Sequence, residues 1–482
     1  MSLFLISLAL LIGGYFTYGL FVEKVIGTDP KRPTPATTMA DGVDFVPLPT
    51  WKVFLIQFLN IAGVGPIFGA IMGVTYGPAA FIWIVVGCIF AGAVHDFVSG
   101  MVSVRSGGKS LPELVGTELG NKVKAVMAAL TALLLMLVVA VFVITPSNLL
   151  ASMTPAWANG TFWAVVIFLY YVLATLLPVD KLIGNLYPVF GFALLFMAAG
   201  IMGYMIVNGM DIPVGLADGL CNRSLGGDAT PVFPMVCISI ACGAISGFHA
   251  TQSPMMARCL KSEKYGRPIF YGAMISEGIV ALIWAAAAIT FTGGYDGLNA
   301  YFTANGADAG MLVKDVCNSW LGTFGGILAV LGVIAAPITT GDTALRSLRL
   351  MIADWAAISQ RSFVKRLSVA LPVIAIILVI MQLDFSVLWR YFAWANQTLS
   401  IFTLWTCTVW LARRSKLYLI TMIPAMFMTM LCTTYIFFAP TGTGLTGLPL
   451  GVSFSIGIVA MIVCTAVFAR WRARLNPSML NA

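Results

Sequence analysis

The stretch Gly243-Ala-Ile-Ser-Gly-Phe-His-Ala-Thr-Gln-Ser-Pro254 decides the fold. It sets two glycines, a histidine, four hydroxyl or amide side chains and a proline inside a run that is otherwise apolar. A counterpart comes much earlier, in Asn60-Ile-Ala-Gly-Val-Gly-Pro-Ile-Phe-Gly69. Proline removes a backbone donor and clashes with the carbonyl one turn back. In lipid, every freed N–H or C=O must find a partner, so such breaks persist where protein or a water-filled cavity supplies one. Unwound backbone offers carbonyls to cations and N–H groups to anions, and the half-helix ends add their dipoles.

The surroundings of both stretches are those of a membrane protein. Hydrophobic residues make up 60% of the 482 residues and charged residues 10%, against about 25% charged in a soluble domain. Apolar runs of about 20 residues recur along the chain, each long enough to cross the hydrocarbon core as a helix. A β-barrel would show short alternating segments instead. The first run, 2–22, lacks a basic start and a small-residue cleavage site and is read as a retained helix. The nine cysteines show no C-x-x-C and no zinc spacing. Cys221 and Cys317 fall in polar segments and are candidates for a pair.

The runs divide into about thirteen spans: 2–22, 51–75, 79–104, 123–145, 161–178, 182–207, 233–256, 268–292, 323–345, 367–383, 387–411, 417–438 and 452–471. Lysine and arginine gather after odd-numbered spans, for example Lys31 and Arg32, Arg105 and Lys109, Arg258 and Lys261, and Arg413, Arg414 and Lys416. Loops after even-numbered spans carry only Arg223 and Lys314. The positive-inside rule then puts the N-terminus outside and the C-terminus in the cytoplasm. The polar segments 23–50, 208–232 and 293–322 are too short to bury cores and read as loops, with short interfacial helices at most.

Gly65, Gly69 and Gly73 form a small-residue ladder that alone reads as close helix packing. The second break alters that reading, because its span runs the opposite way. Residues 51–207 and 233–411 become two five-helix units of opposite orientation, each opening with an interrupted helix. That pattern points to an inverted-repeat secondary transporter holding substrate at the paired breaks. The expected fold is an all-α polytopic membrane protein with a five-plus-five inverted-repeat (LeuT-like) core. Segment 1–50 would supply an N-terminal helix and cytoplasmic loop, 208–232 an external linker, and 412–482 two added helices and a tail.

Titratable groups at membrane depth are functional candidates by default. Span 3 carries His95-Asp96 and span 8 carries Glu277. Both carboxyls lie roughly 12–14 Å from the inner ends of their spans at 1.5 Å per residue. A carboxylate that is costly to keep charged suits loading and release of a proton, and a histidine can share that task. The alternative is a structural pair locking two helices. A metal site from His95, Asp96, His249 and Glu277 would need them to converge, and no motif spacing supports that. At 337–346, Thr339, Thr340 and Thr343 set hydroxyls on adjacent turns. With freed carbonyls near Ala62 they would make an oxygen cage for Na⁺. Otherwise they bond back to their own helix. Asp342 and Arg346 read as an i,i+4 surface pair. Asn396 and Gln397 read as helix–helix hydrogen bonders.

Several of these motifs together resemble the carbon starvation protein A family. They are Asp29-Pro-Lys-Arg-Pro-Thr-Pro-Ala36, Asp41-Gly-Val-Asp-Phe-Val-Pro47, Ile61-Ala-Gly-Val-Gly-Pro66, Phe90-Ala-Gly-Ala-Val-His-Asp96, Gly243–Pro254, Thr340-Gly-Asp-Thr-Ala-Leu-Arg346 and Trp389-Arg-Tyr-Phe-Ala-Trp-Ala-Asn-Gln397. The resemblance implies a bacterial inner-membrane transporter related to peptide uptake in starvation, or to proton-coupled pyruvate uptake. It also implies the five-plus-five repeat of the amino acid–polyamine–organocation transporters. The chain departs from longer relatives where they carry a histidine pair before the first break. Here that stretch is Ile56-Gln57-Phe58-Leu59-Asn60.

The expected activity is therefore secondary active import of a small carboxylate-bearing nutrient, a peptide or pyruvate, coupled to H⁺ or Na⁺. Gly63, Gly65 and Pro66 would shape the first break. Ser246, Gly247, His249, Thr251, Gln252 and Ser253 would line the second. His95, Asp96 and Glu277 would couple protons, and Ala62, Thr339, Thr340 and Thr343 would hold a cation. No cofactor, metal, nucleic-acid partner or enzymatic reaction is expected; the partners are substrate, ion and lipid bilayer. A channel or a non-transporting nutrient sensor is the rival reading. An intramembrane hydrolase lacks its constellation, since there is no H-E-x-x-H.

Overall fold

The computed structural model describes residues 2–41, 45–176, 183–215, 219–305, 308–356, 358, 363–438 and 447–475, all of them in helices, turns or irregular connections. Among the described residues, seven helices are long and apolar enough to cross a membrane: Leu3–Ile26, Ala79–Arg105, Asn121–Ala151, Val189–Val207, Glu263–Phe291, Leu419–Phe438 and Leu450–Ala473. The pair Thr50–Ile61 and Gly65–Val74, bent by 46°, makes an eighth if taken as one span. The other expected spans coincide with helices that are shorter, interrupted or more polar, such as Val232–Ser239 with His249–Ala257, and Ala335–Trp355. The segment 293–322, expected as an outer loop with short interfacial helices at most, holds the short helix Tyr295–Asn305 and the start of a longer one, Ala309–Ala329. The Tyr301 hydroxyl donates to Asp315 Oδ2 at 2.6 Å and ties these two helices together. Cys221 and Cys317 are thiols, not a disulfide.

The chain divides into two compact units. The first comprises 1–128, 211–300 and 396–482, and the second 129–210 and 301–395. In the first unit, both expected breaks are present. The helix Thr50–Ile61 ends before Ala62, and a new helix starts at Gly65 with Pro66 in its first turn, where a missing N–H costs nothing. The helix Val232–Ser239 ends before Ile240, residues 240–248 are irregular, and helix resumes at His249.

Glycines let these pieces approach. A Cβ on Gly65 would strike the Cys242 side chain, one on Gly69 would lie 2.9 Å from Ser239 O, and one on Gly73 would strike Ile240. The ladder is thus packed on the second break, so close packing and broken helices are two sides of one contact. The helix Ala79–Gly87 passes through a π-turn at Cys88–Gly92 before Ala93–Arg105, and a second π-turn at Arg267–Tyr271 precedes Gly272–Phe291. Such turns are frequent at functional sites.

In the second unit, Pro146 lies inside the helix Asn121–Ala151 and has no N–H for Phe142 O. The buried Tyr171 hydroxyl lies 2.9 Å from that carbonyl and 3.1 Å from Pro337 O. Gly341 leaves room for the ring, since a Cβ there would overlap Tyr171.

Candidate functional site: a buried carboxylate–histidine cluster at the second break

The second break is held open by a residue some 150 positions further along the chain. Asn396 O accepts from Gly247 N at 3.0 Å, and Asn396 Oδ1 accepts from Phe248 N at 2.8 Å and from Ser246 Oγ at 2.9 Å. The freed carbonyls of the first half-helix are also met by side chains. Gln397 Nε2 donates to Cys237 O at 2.5 Å, and Trp83 Nε1 donates to Ile240 O at 3.2 Å. This is the internal satisfaction that a break at membrane depth requires. Gln397 is a helix–helix hydrogen bonder, as its sequence context indicates, whereas Asn396 bonds to the unwound segment instead.

At Gly247 two backbones come close together. A Cβ there would overlap Asn396 O and Ser400 N. Pro254 was expected to help open the break, but it sits inside the resumed helix His249–Ala257. The unwound segment therefore ends at Phe248, and His249 to Ser253 form the opening turns of a helix. Within those turns Thr251 Oγ1 donates to Phe248 O at 2.6 Å and Ser253 Oγ to His249 O at 3.1 Å. Gln252 Nε2 donates to Thr251 Oγ1 at 3.0 Å, while its buried Oε1 has no partner among the described residues.

His249 is the centre of the cluster. Its Nδ1 lies 2.9 Å from Asp96 Oδ2, and its Nε2 lies 3.4 Å from Glu277 Oε2, too loose for a hydrogen bond. His95 Nδ1 lies 2.7 Å from the other Asp96 oxygen. All four side chains are fully buried. Asp96 thus faces a ring nitrogen with each oxygen. The His249 Nε2 position and the Glu277 carboxyl face each other. The fold brings together groups whose spacing in the sequence gives no sign of convergence.

Cys242, His249 and Glu277 offer ligand atoms all within 4.8 Å of one another. A thiol, an imidazole and a carboxylate can hold a zinc-class ion. Here the Cys242 thiol already accepts from Asn396 Nδ2 at 3.4 Å. Cys242 and Asn396 are the residues of this site that sequence reading missed as site members. A small apolar thiol in an apolar run gives no signal. Just before the first break, Gln57 buries both amide atoms with no hydrogen-bond partner among the described residues.

The remaining expected site residues lie as follows. Ala62 and Gly63 form the irregular turn of the first break, with Ala62 N donating to Phe58 O at 2.7 Å. Gly65 and Pro66 open the next helix, and a Cβ on Gly243 would lie 3.9 Å from Pro66 Cα, so the two breaks adjoin. Thr339 and Thr340, in the second unit, donate to Ala336 O at 2.8 and 3.0 Å, and Thr343 to Thr340 O at 2.9 Å. This is the back-bonding alternative for those hydroxyls. Asp342 and Arg346 form the expected i,i+4 pair at 3.9 Å.

A family model described as carbon starvation protein CstA matches residues 1–160 and 155–324. The chain belongs to the carbon starvation protein CstA family. This CstA-family chain is 44% identical over 336 residues to an uncharacterized membrane protein of Haemophilus influenzae, covering 60% of this chain and 90% of that one. It is 30% identical over 373 residues to the peptide transporter CstA of Campylobacter jejuni, covering 64% of this chain and 52% of that one. It is 28% identical over 368 residues to the pyruvate/proton symporter BtsT of Escherichia coli, covering 63% and 50%. The CstA-family chain thus spans about half the length of these two transporters.

Solved structures of similar fold are also transporters. Mhp1, a nucleobase-cation-symport-1 family transporter in a closed conformation, aligns with a TM-score of 0.55 at 15% identity over 90% of this chain and 94% of that one. A Na⁺-coupled sialic acid symporter in an outward-open state aligns with a TM-score of 0.54 at 15% identity over 97% of each. At such identities the likeness concerns the fold alone. Relatives and fold together make this CstA-family chain a multi-pass membrane protein of a transporter family.

Proposed function

We propose that the chain is a secondary active transporter of the cytoplasmic membrane, importing a small carboxylate-bearing nutrient, pyruvate or short peptides, under carbon starvation. The coupling ion is H⁺ in this reading, with Na⁺ the alternative. The observation that carries it is the His249 bridge. One imidazole lies between two fully buried carboxyls at the foot of the broken helix. A buried ionic array is expensive unless fully paired, and Glu277 has no hydrogen bond among the described residues. Such an array suits a group that gains and loses a proton during the cycle better than a structural lock.

The mechanism follows from the two breaks. Substrate is held where they adjoin, by Gly63, Gly65 and Pro66 on one side and Ser246, Gly247, Thr251, Gln252 and Ser253 on the other. The N-terminal end of the resumed helix favours a carboxylate. His95, Asp96 and Glu277 carry the coupling proton, with His249 linking the latter two as well as bounding the substrate site. The Na⁺ alternative would draw on the hydroxyls of Thr339, Thr340 and Thr343 in the second unit. The first unit contains the opening two expected spans of both 51–207 and 233–411. That division supports the five-plus-five arrangement, about thirteen spans, and alternating access by bundle movement. Placing the basic loops in the cytoplasm sets the N-terminus outside.

The test is uptake into proteoliposomes of labelled pyruvate and of a dipeptide panel, under imposed H⁺ or Na⁺ gradients. Accumulation of at least one of them under one gradient supports the reading. Retention of all of them at the passive-leak level under both gradients removes it.

A further inference from the structure

A cavity lies in the first unit, and none of its lining residues belongs to either break. Its volume is about 610 Å³, within the usual range for small-molecule sites. Arg32, Arg105, Arg414 and Lys416 line it, and Glu263 is the one carboxylate among its lining residues. Four cations and one carboxylate leave a net charge of +3 on the walls.

Two of the cations have structural work. Arg105 grips Glu263 through Nε–Oε1 at 3.0 Å and Nη2–Oε2 at 2.8 Å, and donates to Ile26 O and Gly27 O at 3.0 and 2.7 Å. Lys416 Nζ donates to Val25 O at 3.0 Å and Ile26 O at 2.8 Å. These contacts cap the C-terminal end of the helix Tyr18–Ile26, which favours cations. Glu263 further accepts from Asp29 N at 2.9 Å and Arg32 Nη1 at 3.3 Å, so its capacity is spent.

Arg32 and Arg414 are not accounted for in this way. Arg32 uses one nitrogen on Glu263 and is 44% exposed. Arg414 lies with Cζ 4.2 Å from the Trp410 ring centroid and donates Nη1 to Trp410 O at 3.3 Å. Their remaining donors have no partner among the described residues. Burial, followed by the charges of Arg105, Arg32 and Arg414, holds Lys416 below its ordinary value, a sign that the cations repel one another. The planar forks of two arginines and a nearby ammonium match the oxygens of a phosphate group.

We propose that this cavity binds a phosphate-bearing anion between Arg32, Arg414 and Lys416. A phosphate monoester carries nearly two negative charges near neutral pH, against the wall charge of +3. A phosphate monoester supplies three acceptor oxygens, and the phosphodiester of a lipid headgroup offers fewer and carries less charge. The group comes either from a soluble phosphate or from the headgroup of an anionic phospholipid.

The test uses the full chain in nanodiscs of phosphatidylcholine, titrated with inorganic phosphate while chloride keeps the ionic strength constant. A parallel set of nanodiscs replaces part of the lipid with phosphatidylglycerol. Saturable phosphate binding by calorimetry supports a soluble ligand. A rise in melting midpoint seen only with phosphatidylglycerol supports a headgroup. In either case Arg32→Gln with Arg414→Gln weakens the effect about ten-fold or more, since each removes charge-assisted bonds, and Lys416→Gln weakens it several-fold. Monodisperse variants, each referred to its own midpoint in phosphatidylcholine without added inorganic phosphate, separate lost binding from misfolding. No saturable effect in either set, an equal effect of chloride, or wild-type response in both the double variant and Lys416→Gln overturns the proposal.

Discussion

His249 Nδ1 sits 2.9 Å from Asp96 Oδ2, across 153 positions of sequence and with both side chains fully buried. The contact joins the first turn of the resumed helix to the first turn of Ala93–Arg105, just beyond its π-turn. It means that the polar stretch at the second break is a junction as well as a lining. Whatever moves His249 also changes the partner of Asp96 and the neighbour of Glu277.

Removing the imidazole leaves two buried carboxyls without their bridge. Breaking a buried pair costs about 3–5 kcal/mol. His249→Ala is expected to lower the thermal midpoint of the purified protein by several degrees and to weaken substrate binding. His249→Gln, which keeps a donor, is expected to recover part of the midpoint but not driven uptake. Wild-type midpoint and affinity in His249→Ala would make the bridge energetically idle.

Asn396 answers the backbone of the break. Asn396→Ala strips the acceptor from Phe248 N and Ser246 Oγ. A buried donor left unsatisfied costs about 1–3 kcal/mol. The variant is expected to be less stable than wild type and to show faster hydrogen exchange at Phe248 than at Trp284 in the adjoining helix. Equal exchange before and after the change would show that another group holds the break.

Gly247 and Gly203 form a contrasting pair. A Cβ at 247 would overlap the backbone at Asn396 and Ser400, whereas one at 203 meets nothing within 4 Å. Gly247→Ala is expected to cost about 1–3 kcal/mol through overpacking. Gly203→Ala lies in a helix and is expected to be neutral or stabilising by up to about 1 kcal/mol. Thermal midpoints of the two variants read the difference. Similar shifts would contradict the close approach at 247.

Much of this was visible in the chain itself. Gly63, Gly65 and Pro66 announced the first break, because glycine and proline act locally. The ladder at Gly65, Gly69 and Gly73 announced a close contact but not its partner, Ser239 to Cys242. Proline misled at 254. In a helix, proline forfeits one bond and can be tolerated, and the actual end of the break is set by Asn396, far along the chain. Asp96 and Glu277 stood out because charge at membrane depth is rare. Their meeting with His249 was not legible, since spacing in sequence carries no information about contacts between distant helices. Hydropathy also faded where helices are polar or short, as at His249–Ala257, so span number was less secure than helix position.

The central claim is that Glu277 exchanges the coupling proton while substrate moves through the breaks. The direct measurement compares Glu277→Gln with wild type in proteoliposomes, for a substrate that wild type accumulates. The two readouts are uptake driven by an imposed proton gradient, and counterflow of labelled against unlabelled substrate with no gradient. The account predicts that Glu277→Gln loses proton-driven accumulation and retains counterflow. Driven accumulation at the wild-type level in Glu277→Gln would contradict it.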